Sequence, residues 1–236
     1  MAHKNIVVAI DGPAGAGKST IARRVAERLG FTYINTGAMY RAIALWALRL
    51  GTELSDMHRL EQLAKEARLE LSSGGSRVVL NGEDVTEEIR SPEVTEAASK
   101  VSAVPAVRRA LLGLQRKMAK DASVVMEGRD IGSVVFPDAQ VKIFLDADPH
   151  ERARRRTLEL KQAGTDAAAE TVAAEMRERD GRDRTRAEAP LVQPADAQLI
   201  ETTGLNIEQV EEAVLKVIRA RTSNGKTASF TGNDSA

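Results

Sequence analysis

The sequence predicts an α/β fold, a largely parallel sheet flanked by helices. Three observations carry that expectation. Short, mostly apolar runs at residues 6–10, 123–126 and 141–145 read as strands buried on both faces, as a parallel sheet requires. Stretches with helical spacing lie between them. A glycine-rich turn joins the first run directly to the first helical stretch.

Taken in order, residues 6–10 form an unbroken apolar run that ends at Asp11-Gly12-Pro13. A helix is expected from Lys18, with Ile21, Val25 and Leu29 four residues apart and Gly30 at the C-cap. Residues 31–34 read as a short strand, and residues 38–50 as a helix stopped by Gly51. The character then changes. A helical stretch near 57–68 is followed by Leu69 to Leu71, a Ser-Ser-Gly-Gly-Ser turn, Val78 to Leu80, and Asn81-Gly82. Those are hairpin signals, and they predict a small antiparallel insert at about 52–90. Ser91-Pro92-Glu93 supplies a cap, a first-position proline and a first-turn acid, so helices are expected over 92–121 with a break near Pro105. Residues 150–189 are rich in Arg, Glu and Ala and read as helical. Residues 197–200 suit a last strand. Asn206-Ile207-Glu208-Gln209 resembles a capping box that opens a final helix, with Val210, Val214 and Val217 on one face. From Thr222 the composition turns polar and a disordered tail is expected.

Length and composition bound the function. The chain has 236 residues, enough for one sizeable core with inserts, and 42% of them are apolar. Lys plus Arg and Asp plus Glu are 34 each, which counts against a general nucleic-acid or membrane binder. With no cysteine, disulfides and thiolate metal sites are excluded. No signal-peptide pattern opens the chain, and no apolar run approaches the about 18 residues that span a bilayer. A soluble cytoplasmic protein is expected. His3, His58 and His150 are scattered without metal-ligand spacing.

Gly12-Pro13-Ala14-Gly15-Ala16-Gly17-Lys18-Ser19 matches G-x-x-x-x-G-K-[ST], the P-loop, and it sits between a buried strand and a helix as that motif must. The glycines let backbone N–H groups turn inward around phosphate oxygens. Lys18 reaches the β- and γ-phosphates, Ser19 is the candidate Mg²⁺ ligand, and the following helix points its N-terminus at the charge. Gly12 to Thr20 are therefore the candidate ATP site. By itself this predicts an NTP-binding protein and nothing narrower.

Further segments narrow it. Thr36 to Arg41 offers a hydroxyl, an aromatic ring (Tyr40) and a guanidinium within six residues, which suits a planar base and a phosphate; taken alone, the segment is better read as an ordinary helix start with Tyr40 packed and Arg41 solvated. Glu127-Gly-Arg-Asp follows a buried strand, at the strand end where open α/β sheets bind ligands. Arg129 there could fork a phosphate, and Asp130 could accept hydrogen bonds from a base or sugar, or the two could simply tie the loop down. Between His150 and Pro190 lie Arg152, Arg154, Arg155, Arg156, Arg179, Arg182, Arg184 and Arg186, mixed with acids. Most suit a solvated helix with i,i+4 pairs. A mobile lid that brings cations to a transferring phosphoryl group is the sharper alternative.

The order and spacing of Ile10-Asp-Gly-Pro-Ala-Gly-Ala-Gly-Lys, Thr36-Gly-Ala-Met-Tyr-Arg, Glu127-Gly-Arg-Asp-Ile-Gly, Val135-Phe-Pro-Asp-Ala and Arg179-Asp-Gly-Arg-Asp-Arg-Thr-Arg-Ala-Glu-Ala-Pro resemble the bacterial cytidylate kinases, within the P-loop nucleoside monophosphate kinases, from residue 5 to about 220. The resemblance implies a P-loop NTPase-type sheet, an antiparallel acceptor-domain insert and an arginine-rich helical lid. It implies transfer of the γ-phosphoryl group of ATP, with Mg²⁺, to CMP or dCMP in pyrimidine nucleotide metabolism. Residues 1–36, 121–149 and 190–221 would form the core, 37–120 the CMP-binding region, 150–189 the lid and 222–236 the tail. Lys18, Arg129 and Arg155 are the implied catalytic cations. Thr36, Tyr40, Arg41, Ser99, Arg108, Arg129, Asp130, Arg179, Asp183 and Arg186 are the implied acceptor contacts. A monomer is implied, with neither nucleic acid nor membrane as partner.

The chain departs from the family's pattern in having Asn35 where Asp is common, and no run of four apolar residues ending in Asp stands at the expected metal-binding place. Other classes fit less well. A different small-molecule P-loop kinase shares the core motif. A GTPase-type switch lacks its Asn-Lys-x-Asp motif here and has no use for an arginine lid. A nucleic-acid ATPase is disfavoured by zero net charge and 3% aromatic residues.

Overall fold

The computed structural model describes residues 5–72, 77–162 and 164–223. Its main sheet is built from β1 (Val7–Asp11), β2 (Thr32–Asn35), β6 (Val124–Gly128), β7 (Val141–Asp146) and β8 (Gln198–Glu201), in the spatial order β2-β6-β1-β7-β8. Every pairing in it is parallel. Val8 faces Val125 on one side and Val141 on the other, and Leu145 faces Ile200. The three central strands are buried on both faces, which explains their unbroken apolar runs.

Helices cover both faces. On one, α1 (Lys18–Leu29) and α8 (Ile207–Ser223) pack Ile21, Val25, Val210, Val214 and Ile218 against Val8, Ile10, Ile143 and Leu145. Gly30 closes α1 with a left-handed φ of 65°, as its position predicted. Asn206 and Gln209 form the expected capping box: the Asn206 Oδ1 accepts from the Gln209 N–H at 2.8 Å, and the Asn206 N–H donates to the Gln209 Oε1 at 2.9 Å. Glu211, buried on α8, accepts from Arg24 Nε at 2.5 Å and from Arg28 Nη1 at 3.0 Å. That pair of bonds staples the end of α1 to α8. On the other face, Val7, Ala9, Ile34 and Met126 meet Ile131 and Val135.

A second core lies beside the sheet. It joins α2 (Thr36–Arg49), α3 (Met57–Glu66), α4 (Pro92–Ala103), α5 (Pro105–Met118) and a three-stranded antiparallel sheet, β3 (Leu69–Leu71), β4 (Val78–Leu80) and β5 (Glu83–Asp84). The expected insert is present, and the expected Ser-Ser-Gly-Gly-Ser turn lies in part outside the described residues. Asn81 and Gly82, with φ of 52° and 88°, make the two-residue turn between β4 and β5. The helical region expected over 92–121 divides where Val104 becomes extended, because the proline ring of residue 105 disfavours a helical neighbour before it.

The arginine-rich stretch is two helices, α6 (Pro149–Gln162) and α7 (Ala169–Thr185), not a continuous one. They pack on each other through Ala153, Val172 and Met176, with Ala14 of the glycine-rich loop beneath them. The chain from Arg186 to Ala197 is extended or turning. Thr222 and Ser223, expected in the tail, belong to α8; the remainder of that tail lies outside the described residues. No helix among the described residues is long and apolar enough to cross a membrane.

Gly12 shows how tightly the glycine-rich loop is fitted. Its φ is 146°, and a Cβ there would stand 2.0 Å from the Leu145 carbonyl oxygen of β7. Gly12→Ala is expected to lose at least about 3 kcal/mol of stability, from backbone strain and overpacking together. Urea unfolding measures it; a wild-type midpoint would mean that β7 yields freely at this point.

Candidate functional site

The site forms where β1, β2 and β6 end. From β1 the chain turns through Gly12 to Gly17, with left-handed φ of 73° at Gly15 and 85° at Gly17, and enters α1. Lys18 is buried, and its Nζ donates to the Pro13 carbonyl at 2.5 Å across the loop. Burial, and next the Arg129 guanidinium, pull the Lys18 ammonium down to about 7, while Glu127 opposes the shift. Ser19 and Thr20 stand exposed in the first turn of α1, so the hydroxyl expected to meet a metal is free to do so. The loop has a roof: a Cβ at Gly15 would lie 2.8 Å from the Arg152 carbonyl of α6 and 2.9 Å from the Met176 Cε of α7.

The expected acceptor residues fall into two neighbouring groups. Arg129, Arg179 and Asp183 gather around Lys18 and act on its charge. Arg41 faces Glu127 and Arg129. The Arg129 Nε donates to the Asp183 Oδ2 at 2.9 Å. Thr36, buried at the start of α2, donates its hydroxyl to the Glu127 carbonyl at 2.8 Å. In the second group the Arg108 Nη2 donates to the Asp130 Oδ2 at 2.5 Å, and the Arg108 guanidinium lies 5.3 Å from the centre of the Tyr40 ring. Arg186 bridges the groups, with nitrogens 3.6 Å from both Asp130 and Asp183. Ser99, buried on α4, accepts a hydrogen bond from Arg182 of α7.

This ensemble holds more cation than its carboxylates satisfy. Buried guanidinium nitrogens of Arg41, Arg108, Arg179 and Arg186 have no hydrogen-bond partner among the described residues. Burial, and then Arg129, bring Arg179 down to about 10. Buried donors without acceptors are costly, and a cluster of them is chemically suited to a multivalent anion.

Arg155 is placed differently from the expectation. It donates to the Thr202 hydroxyl and carbonyl at 2.9 and 2.7 Å and pairs with Glu151, at the end of β8, and it is not brought to Lys18. Arg156 instead is the α6 arginine that acts on Arg179.

Sequence reasoning passed over further groups. Asp11 ends β1, is buried, and accepts the Ile131 and Gly132 N–H groups at 2.8 and 2.7 Å, one on each oxygen. It thereby fixes the π-helical turn at Ile131–Val135 and, ahead of it, the loop carrying Arg129 and Asp130. The signal was a carboxylate closing a wholly apolar run. Glu127 was quoted as motif and not as site; buried, it accepts the Tyr33 hydroxyl at 2.6 Å and faces Lys18 and Arg41. Arg152, buried in the α6 roof against the glycine-rich loop, donates to the Ala14 carbonyl at 3.1 Å and to Asp180 of α7 at 2.5 Å. Asn35, the position that departs from the family's acid, caps α2 by accepting the Ala38 N–H at 3.1 Å.

Comparison with known proteins gives the chain's family. A family model described as cytidylate kinase matches residues 8–220. A cytidylate kinase of Solibacter usitatus is 59% identical over 226 residues, 95% of this chain and 97% of that protein. One of Pelotomaculum thermopropionicum is 54% identical, covering 93% and 96%. One of Caldanaerobacter subterraneus is 51% identical, covering 94% and 98%. Among solved structures, an uncharacterized protein from Eubacterium ventriosum aligns with a TM-score of 0.52 at 14% identity, over 92% of this chain and 99% of that one, a likeness of fold alone.

Asp11 makes a pH prediction. Burial raises its carboxyl from 3.8 to about 6, against the two backbone hydrogen bonds that lower it. Between those values the folded chain holds a proton that the unfolded chain has released. The stability this group contributes is therefore greatest below about pH 4 and is lost as pH rises through about 6. Asp11→Asn is expected to remove that loss, so denaturant unfolding at pH 4.5 and pH 7 should differ less in the variant than in the wild type. An equal difference in both would mean that Asp11 does not titrate there.

Proposed function

The chain belongs to the cytidylate kinase family, and from that premise we propose that this cleft transfers the γ-phosphoryl group of ATP to CMP or dCMP, as a cytoplasmic monomer. The observation that carries the reading is the set of unpartnered guanidinium nitrogens, with Lys18 and Arg129, around the ends of β1, β2 and β6. Two phosphate-bearing substrates meeting there would supply the missing acceptors.

Residues 12–20 hold the ATP phosphates on backbone N–H groups and the N-terminus of α1. Lys18 exchanges the Pro13 carbonyl for phosphate oxygen, and its ammonium regains full charge beside that anion. Mg²⁺, when bound, neutralises charge on the β- and γ-phosphates, and Ser19 is the side chain that would hold it. Acidic or histidine clusters that could ligate a metal unaided are absent among the described residues, which fits an ion that arrives with the nucleotide. On the acceptor side, Arg41, Arg129 and Arg179 grip the CMP phosphate. Asp130, Arg108, Ser99 and Arg186 face the base, with Tyr40 beneath Arg108, and Asp183 lies near the sugar. Thr36 fixes the turn between β2 and α2.

The attacking phosphate oxygen is already ionised at pH 7, so in-line transfer needs no general base, only cations fixed around the transition state. Arg129 and Arg179 lie near enough to Lys18 to serve both substrates. Arg155 takes part only by exchanging its bonds to Thr202 for phosphate oxygen. Closure of α6 and α7 over the loop keeps water from the γ-phosphate.

An ADP-release assay offering CMP, dCMP, UMP, AMP, GMP and dTMP tests the acceptor. Turnover is expected with CMP and dCMP and little with the others; no turnover with CMP would remove the assignment. Lys18→Ala should lower kcat by about 10²–10³-fold without loss of thermal stability. Arg129→Ala should chiefly damage CMP use, and unchanged kcat and KM for CMP would exclude Arg129 from the site.

A further inference from the structure

Arg182 belongs to none of the roles above, yet its surroundings are built. It lies on α7, and its Nε donates to the Ser99 Oγ of α4 at 3.1 Å. Its Nη2 is held by both oxygens of Glu96, at 3.2 and 3.1 Å, and its Nη1 by Glu178. Glu96 and Ser99 are three residues apart and so share one face of α4. One guanidinium thus joins the arginine-rich helices to the acceptor region by way of a hydroxyl that is 2% exposed.

The chemistry of that bond has direction. Arginine has donors only, so the Ser99 oxygen spends a lone pair on Arg182 and keeps its own hydrogen for another partner. Among the described residues the Ser99 hydroxyl donates to no protein acceptor. We infer that Arg182 is a positioning residue for the acceptor nucleotide: with α7 against α4 it fixes the Ser99 oxygen and leaves the hydroxyl hydrogen to be donated toward an acceptor atom of the bound nucleotide. Recognition of the acceptor is then coupled to closure of the helical pair. The inference rests on the proposed reading of Ser99 as a residue of the acceptor pocket.

A double-mutant cycle tests it. Ser99→Ala, Arg182→Met and the double variant are compared for kcat, KM for CMP, KM for ATP and thermal unfolding. Each single variant should raise the KM for CMP by about fivefold or more, the equivalent of one hydrogen bond, with the KM for ATP unchanged. The double variant should be no worse than Ser99→Ala alone, because Arg182 acts through Ser99. Arg182→Lys, which keeps one donor, should recover part of the loss. If Ser99→Ala is harmful and Arg182→Met adds its full effect to it, or lowers the unfolding temperature without moving the KM for CMP, the inference is wrong and the acceptor pocket stands. If Ser99→Ala leaves the KM for CMP unchanged, the placement of Ser99 in the pocket fails and the inference falls with it.

Discussion

Positive charge that nearby carboxylates answer only in part, gathered in a largely buried cleft, is the constraint around which the rest of this structure is arranged. Lys18, Arg41, Arg108, Arg129, Arg179 and Arg186 converge from the glycine-rich loop, α2, α5, the loop after β6, and α7 and its C-terminal end, while Glu127, Asp130 and Asp183 answer only part of that charge. Such an arrangement is unfavourable in the free protein, because burial and the neighbouring Arg129 both oppose the charged forms of Lys18 and Arg179. It is relieved only when anions enter. Binding energy and fold are therefore in tension until substrate arrives, and the carboxylates present serve to aim the guanidiniums more than to neutralise them.

The frame that tolerates this strain is the parallel sheet. Its central strands are buried on both sides and their register is fixed by the Val8, Val125 and Val141 neighbours, so the strand ends cannot slide. Asp11 then transmits that rigidity sideways, from the strand that leads into the glycine-rich loop to the turn that presents Arg129 and Asp130. Arg152 does the same upward, from the loop carbonyl at Ala14 to Asp180 on α7. Two buried side chains thus put three segments distant in sequence into one geometry.

Much of this was legible in the sequence, because local chemistry and global fold agree. The strands announced themselves as apolar runs, Asn81-Gly82 as a hairpin turn, Ser91-Pro92 and Asn206 as helix starts, and residues 12–17 as a tight glycine-rich turn between strand and helix. What escaped notice depends on long-range approach. Asp11 reads as an ordinary residue before a glycine until the N–H groups of residues 131 and 132 arrive beside it. The arginines of α6 look alike in sequence. Only packing shows that Arg152 is buried against the loop, that Arg155 turns to Thr202 and that the charge of Arg156 acts on Arg179. A helical phase can be read from sequence, but which neighbour covers each phase cannot.

The bonds from Glu211 to Arg24 and Arg28 bear on how the chain acquires its shape during synthesis. The helix that begins at Lys18 is synthesised well before β8, which pairs with β7, and before the residues of α8 that lock its far end. Until residue 218 has cleared the ribosome, Ile21 and Val25 lack Val214 and Ile218 as cover. The nascent chain thus carries the glycine-rich loop on a helix that stays unsecured until α8 has followed it, and the geometry around that loop is completed collectively, not segment by segment.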